Sequence, residues 1–298
     1  MKEDKLLSII EDNLGDCEEF KDNFNDLLKH YKRKNKRLDK IIKHSDTQHR
    51  MILQLNSELN RYKTKLEDIH DYNVQQQNIA RKKVEASIVN ELNNDNKIKV
   101  DIISVASDIL SGDLYSIYKK KSGSILFYLI DGQDHGISPS LTVFSVSSII
   151  NRYAKEDIPL QELLNKVLPF IRNFLADEEQ LSFSILELNS DFSKIEYSIG
   201  GMYPTLIYDG SEIKELKSNS LPILNFSTDM KVNELDIKNF KKIVVYSDGI
   251  VETIDDRLLE YSPRKMLFDS VLMEKARDNI PSLDRDDDIT VLSISRIN

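Results

Sequence analysis

Ser124-Ile125-Leu126-Phe127-Tyr128-Leu129-Ile130-Asp131-Gly132 runs from apolar and aromatic residues straight into an acid and a turn. A short run rich in β-branched and aromatic residues, bounded by polar turns, reads as a buried strand. Ending it on a carboxylate is informative. Three other stretches combine the same parts: Ser111-Gly112-Asp113; Ser247-Asp248-Gly249, which follows Lys242-Ile243-Val244-Val245-Tyr246; and Asp287-Asp288-Ile289-Thr290, at the alternating run Ile289–Ser295. Taken singly, Asp-Gly is a common turn dipeptide, and a surface loop accounts for any one of them. Taken together they share one grammar, apolar strand then acid, and strand ends that each offer a carboxylate can converge on a shared pair of hard cations.

Mg²⁺ and Mn²⁺ prefer oxygen ligands in near-octahedral geometry and keep several waters, so a few carboxylates with open positions make a reactive site rather than a closed cage. Two such ions roughly 3.5–4 Å apart can activate a water and hold a phosphoryl oxygen for in-line attack. Glycine after Asp131 lets the chain turn sharply and leaves the Gly132 carbonyl open to a metal.

Working outward, Pro139–Ala154 has helical spacing and begins just after Gly136. A second helix spans about Pro159 to Leu175, with Leu160, Leu163, Leu164, Val167, Leu168, Ile171 and Phe174 on one face. Strands are expected at Leu181–Leu188, Ile195–Gly200 and Thr205–Tyr208, the last turning at Asp209-Gly210 into a hairpin.

The ordered set Ser107–Tyr115, Asp131-Gly132-Gln133-Asp134-His135-Gly136, Gly200-Gly201-Met202-Tyr203-Pro204, Tyr246–Glu252 and Asp286-Asp287-Asp288-Ile289-Thr290 resembles the sporulation and stress-response branch of the PP2C-type serine/threonine phosphatases over about residues 78–298. The resemblance implies an α+β fold, an α-β-β-α sandwich of two antiparallel sheets. It also implies a centre of two Mn²⁺ or Mg²⁺ ions that hydrolyses phosphoserine or phosphothreonine on a protein, in this branch small anti-sigma-factor antagonists. Carried over, Asp131 bridges the ions with the Gly132 carbonyl, Asp248 and Asp287 hold the second ion, and Asp113 binds the first, directly or through water. Asp113 and Asp131 thereby become the candidate catalytic pair. Asp286 and Asp288 flank Asp287, and the choice within the triplet follows the Asp-Asp-x-Thr pattern. The chain departs from the family at Met202-Tyr203-Pro204, where His or Asn with Pro is usual after Gly201, and at Ser220–Leu224, which lacks the glycine usual after Pro-Leu. A catalytically silent scaffold acting through partner binding is the alternative, and it predicts a lost ligand. A nuclease would need a basic groove that this acidic chain does not advertise.

His135 is either a general acid or a residue at the helix start, and Asp134 is either catalytic or a helix cap. Tyr115 and Tyr246 are expected to fill the space between the sheets. Cys17, the single cysteine, lies outside the catalytic region, which removes cysteine-based phosphate chemistry there.

The first third differs in kind. Phe24, Leu27, Tyr31, Leu38, Ile41, Ile52, Leu55, Leu59, Tyr62, Leu66 and Ile69 follow a three-four alternation, interrupted by Lys34, Ser45 and Gln48, with neither Pro nor Gly. This favours a coiled coil about 75 Å long, at about 1.5 Å per residue. Two arrangements fit: a parallel homodimer through residues 20–69, or an antiparallel hairpin broken near Ser45-Asp46-Thr47. A shorter helix is read at Lys2–Leu14, stopping at Gly15 with Asp16 able to start the next. The Gln-rich stretch Asn73–Asn78 reads as a joint, and residues 78–93 as a helix leading into the catalytic part. The expected domains are therefore a helical regulatory region, 1–77, and a phosphatase domain, 78–298. The basic run Lys29–Lys43 has no aromatic interleaving and reads as the solvated face of the coil rather than a nucleic-acid surface.

A net charge of −9, 31% charged residues and no tryptophan, with a pI near 5.2, suit a cytoplasmic signalling protein without general affinity for nucleic acid. No apolar run approaches the roughly 18 residues of a membrane span, and Met1-Lys2-Glu3-Asp4 starts no signal peptide. The expected partner is a phosphorylated protein substrate.

Overall fold

The computed structural model describes residues 18–93, 95–133, 136–252, 260–283 and 286–297. The chain divides into two compact units, residues 1–72 and 73–298.

Every described residue of the first unit lies on α1 (Glu18–Ser87). The helix is unbroken at Ser45-Asp46-Thr47, because Thr47 Oγ1 donates back to the Lys43 carbonyl at 2.8 Å instead of capping a new helix. The antiparallel hairpin is thereby excluded. The apolar heptad positions from Leu27 to Ile69 stand about half exposed or more, a stripe that no other described residue of its unit covers. The expected helix Lys2–Leu14, with Gly15, Asp16 and Cys17, lies outside the described residues. Asn73–Asn78, read as a joint, is helical, with Asn78 Nδ2 bonded to the Val74 carbonyl, and the division between the two units falls at its start.

In the second unit α1 ends at Ser87, six residues short of expectation, for a reason found in the neighbouring strand. The edge of β2 (Asp113–Lys119) offers unpaired backbone groups, and the chain after Ser87 takes them. Ile117 N donates to the Val89 carbonyl at 2.7 Å, and Glu91 N donates to the Ile117 carbonyl at 3.2 Å.

The remaining elements are β1 (Ile98–Val105), β3 (Ile125–Gly132), α2 (Ile137–Ala154), α3 (Leu160–Phe174), β4 (Leu181–Leu188), β5 (Lys194–Gly200), β6 (Thr205–Tyr208), β7 (Ile213–Leu216), β8 (Asn233–Asp236), β9 (Lys242–Tyr246), α4 (Gly249–Glu252), α5 (Pro263–Phe268), α6 (Ser270–Asn279) and β10 (Ile289–Arg296). Two five-stranded antiparallel sheets form, ordered β2-β3-β4-β5-β8 and β1-β10-β9-β6-β7. Alternation along β3 assigns the layers: Leu126, Tyr128 and Ile130 pack under α2 and α3, whereas Ile125, Phe127 and Leu129 face the other sheet. Along β10, Leu292 and Ile294 face inward, and Ile289 and Val291 pack with Met266 of α5 and Met273 of α6. Helices thus cover both outer faces, giving the α-β-β-α sandwich.

The expected face of α3 is buried from Leu160 to Ile171, but Phe174 is 52% exposed, because Leu175, just past the helix end, takes the next place in the layer. Tyr115 borders the inner core as expected. Tyr246 does not; its strand parity turns it outward, where it stacks on Tyr203 with ring centroids 5.9 Å apart.

Candidate metal centre

Strand parity decides where the carboxylates point. Asp131 continues the inward series Phe127, Leu129, and Asp113 continues the inward series Ile117, Tyr115. The two are direct partners across β2 and β3, so their side chains leave one face of the sheet with Cβ atoms about 4.5–5.5 Å apart. On the opposing sheet, Asp248 lies two residues past the end of β9 and Asp287 two residues before the start of β10. The strands β9 and β10 are antiparallel neighbours, so the end of one lies beside the start of the other.

This corrects the expected grammar. Only Asp131 and Asp248 come at the end of a strand; Asp113 opens β2 and Asp287 lies before β10. Antiparallel pairing makes the distinction harmless, because ends and beginnings alternate along one rim of the sandwich.

The rim is crowded with negative charge. Burial pushes the Asp131 carboxyl up to about 10, with Asp113, Asp248, Asp287 and Asp288 adding like-charge repulsion. Asp113 is buried and pushed well above the carboxylate range by that burial, with Asp288 and Asp248 adding like-charge repulsion against the opposing help of the Ser247 hydroxyl. Burial, then Glu252, also raises Asp248. The Asp113 Oδ2 and Thr290 Oγ1 atoms are buried without a hydrogen-bond partner. Among the described residues no three acidic or histidine side chains already stand in ion-holding geometry. Asp134 and His135 lie outside the described residues.

Within the Asp286–Asp288 triplet the structure separates the roles. Asp286 is exposed. Asp288 is 2% exposed and is committed to the segment before β2: Oδ1 accepts from Ser107 N at 2.6 Å and Ser107 Oγ at 2.9 Å, and Oδ2 accepts from Gly112 N. Asp287 Oδ1 accepts from Asp288 N at 2.8 Å. Asp288 therefore seats the turn that delivers Asp113, a task invisible in sequence because nothing in the spacing links residues 107–112 to 288.

Glycines permit the close approaches. A Cβ on Gly249 would fall 2.1 Å from the Asp288 carbonyl oxygen, and one on Gly132 would press against Pro139 and Val143 of α2. Gly132 lies within β3 without a positive φ, so close packing under α2 rather than a sharp turn accounts for the glycine. Gly201 has φ +73°, and a Cβ there would meet Ser182 Oγ at 2.5 Å and Pro222 at 2.9 Å. Ser182 is the β4 partner of Asp131. Gly201→Ala is expected to cost about 1–2 kcal/mol through strain and crowding, read as a lower urea midpoint at unchanged slope; an unaltered midpoint would refute the packing argument.

The donor set is all oxygen, as hard divalent cations require. An enclosed cluster of carboxylates needs either protons or a cation to remain together. Asp113, Asp131, Asp248, Asp287 and the Gly132 carbonyl thus fit the ions that the resemblance implies.

Residues 121–297 match the sequence profile of the family described as stage II sporulation protein E (SpoIIE). The phosphoserine phosphatase RsbP of Bacillus subtilis is 24% identical over 180 residues, 58% of this chain and 44% of that protein. The chain therefore spans less than half the length of that curated relative. The SiaA-PP2C domain of Pseudomonas aeruginosa superposes with a TM-score of 0.61 at 14% identity, covering 77% of this chain and 98% of that one. RsbX, solved in complex with magnesium, superposes at 0.52 with 13% identity, covering 69% and 98%. Both superpositions show a shared fold.

Proposed function

This chain belongs to the stage II sporulation protein E (SpoIIE) family, and from that membership we propose that residues 78–298 form a metal-dependent protein serine/threonine phosphatase. Its proposed substrate is a phosphorylated signalling protein of the anti-sigma-factor-antagonist kind. The observation that carries the reading is the pairing of Asp113 with Asp131 on the inward face, with Asp248 and Asp287 within charge reach of Asp131. RsbP is described as a phosphoserine phosphatase and RsbX was solved with magnesium, which supports carrying both chemistries to this site.

Asp113, Asp131, Asp248, Asp287 and the Gly132 carbonyl would hold two Mn²⁺ or Mg²⁺ ions. Such a pair, when bound, supplies an activated water and a charge clamp for phosphoryl oxygens. The chain's own residues keep the carboxylates in place: Asp288 seats the turn before Asp113, and the Ser247 hydroxyl accepts from Thr290 N at 2.9 Å, tying β9 to β10 beside Asp248. The exposed heptad stripe supports pairing of residues 20–69 with a second copy of the chain, and so a regulatory role for residues 1–77.

Turnover of a chromogenic phosphate ester with Mn²⁺, lost with chelator and in Asp248→Asn, tests the reading. Absence of turnover in the unaltered chain would leave the silent-scaffold alternative standing, and equal turnover in that variant would overturn the site assignment.

Proton linkage gives a second check. In the unliganded protein Asp131 holds its proton up to about pH 10 when folded, but releases it near the ordinary value of 3.8 when unfolded. Its contribution to stability therefore falls as pH rises between those values. A cation that replaces the proton removes this loss. The thermal stabilisation produced by saturating Mn²⁺ is expected to be larger at pH 8 than at pH 5.5, measured by calorimetry; equal shifts would contradict the carboxylate assignment.

A further inference from the structure

We propose that Tyr128 and Asn151, with Ser116, are positioning residues that hold the strand pair bearing Asp113 and Asp131 in register against the end of α1. The inference rests on the metal-site reading above and adds the residues through which that site is held.

Ser116 and Tyr128 are direct cross-strand partners on β2 and β3, three residues from the Asp113–Asp131 pair on the same two strands. At about 3.3 Å per residue the two pairs are about 10 Å apart. Parity places them on opposite faces: the aspartates point between the sheets, whereas Tyr128 points into the layer under α2.

In that layer a polar chain runs through otherwise apolar surroundings. Tyr128, fully buried, donates to Asn151 Oδ1 at 2.5 Å. Its oxygen lies 2.8 Å from Ser147 Oγ, so with the phenol proton committed to Asn151 the serine is the donor. Asn151 Nδ2 then donates to the Ser87 carbonyl at 3.3 Å, in the last turn of α1 where carbonyls lack helical partners. Two residues on, Val89 N donates to Ser116 Oγ at 3.1 Å. Burial pushes the Tyr128 phenol up to about 12, so it keeps the proton it donates.

The segment 87–89 therefore grips both strands of the carboxylate pair at one cross-strand position, through side chains whose donors and acceptors are matched. A buried polar chain specifies one arrangement, because any shift leaves a group unsatisfied. Leu or Phe would fill the same space without selecting a register. Since the aspartates ride on the same backbones, a shift at Ser116–Tyr128 displaces them relative to Asp248 and Asp287 on the other sheet.

The test uses the full chain and Mn²⁺ alone. Tyr128→Phe and Asn151→Leu are measured by titration calorimetry for Mn²⁺ affinity and by thermal unfolding with chelator. Ser116→Ala serves as the milder variant should either fail to fold. Ile171→Val, a cavity in the same layer on α3, is the control for stability loss alone. The expected result is a Mn²⁺ affinity lower by on the order of tenfold in the polar-chain variants, with the control at wild-type affinity for a similar fall in melting temperature. Wild-type affinity in all three variants, or an equal loss in the control, would overturn the positioning role while leaving the metal site intact. Failure of the unaltered chain to bind Mn²⁺ would overturn the metal-site reading and this inference with it.

Discussion

Asp131→Asn is expected to lower phosphatase turnover by at least about three orders of magnitude, because it takes away the negative charge and one of the two carboxylate oxygens of a residue that would hold the ions. The same change is expected to raise the melting temperature of the chelated protein. Both effects follow from one fact. Asp131 is enclosed and surrounded by Asp113, Asp248, Asp287 and Asp288, which together with burial push its carboxyl up to about 10. Without a cation this group costs stability at neutral pH, and a neutral amide of similar shape relieves it. Each kcal/mol recovered shifts the midpoint by about 2–4 °C in a domain of this size. A variant that lost activity because it misfolded would melt lower, so the opposed signs separate chemistry from collapse. Unchanged turnover, or a lower melting point in chelator, would contradict the assignment.

Asp288→Ala is expected to be the most destabilising single change at the rim, by about 3–5 kcal/mol in urea unfolding. The loss has three parts: Ser107 N, Ser107 Oγ and Gly112 N all give up a carboxylate acceptor, and Gly112 N is buried with it. Turnover should fall too, since the turn held by these bonds delivers Asp113. Asp287→Ala, by contrast, is expected to abolish turnover with a much smaller stability cost. Reversed behaviour of the two neighbours would exchange their roles.

Much of this was legible in the chain because two periodicities dominate. The three-four spacing from Phe24 to Ile69 has no Pro or Gly to interrupt it and emerged as one helix, and the run Ser124–Ile130 emerged as the buried strand beside which the others assemble. The aspartates were found through their neighbours, but not their direction: sequence reading placed each at the end of a strand, whereas antiparallel pairing needs some at beginnings. The end of α1 was missed because the unpaired edge of β2 competes for its backbone groups, and that edge exists only after folding. Tyr246 was placed in the wrong layer because aromatic character says how much is buried, while strand parity says where. The Asp-Asp-x-Thr pattern singled out Asp287, but the task of Asp288 shows only once residues 107–112 return to the rim. The short helices α5 and α6 have too few turns to show a period and take their order from packing on β9 and β10.

The most direct measurement is anomalous diffraction from crystals of the full chain grown with Mn²⁺. The account predicts two manganese peaks roughly 3.5–4 Å apart, bridged by Asp131, with Asp113 and the Gly132 carbonyl on one side and Asp248 and Asp287 on the other. Manganese elsewhere on the chain, or Asp113 and Asp131 turned away from Asp248 and Asp287 around an empty rim, would contradict it.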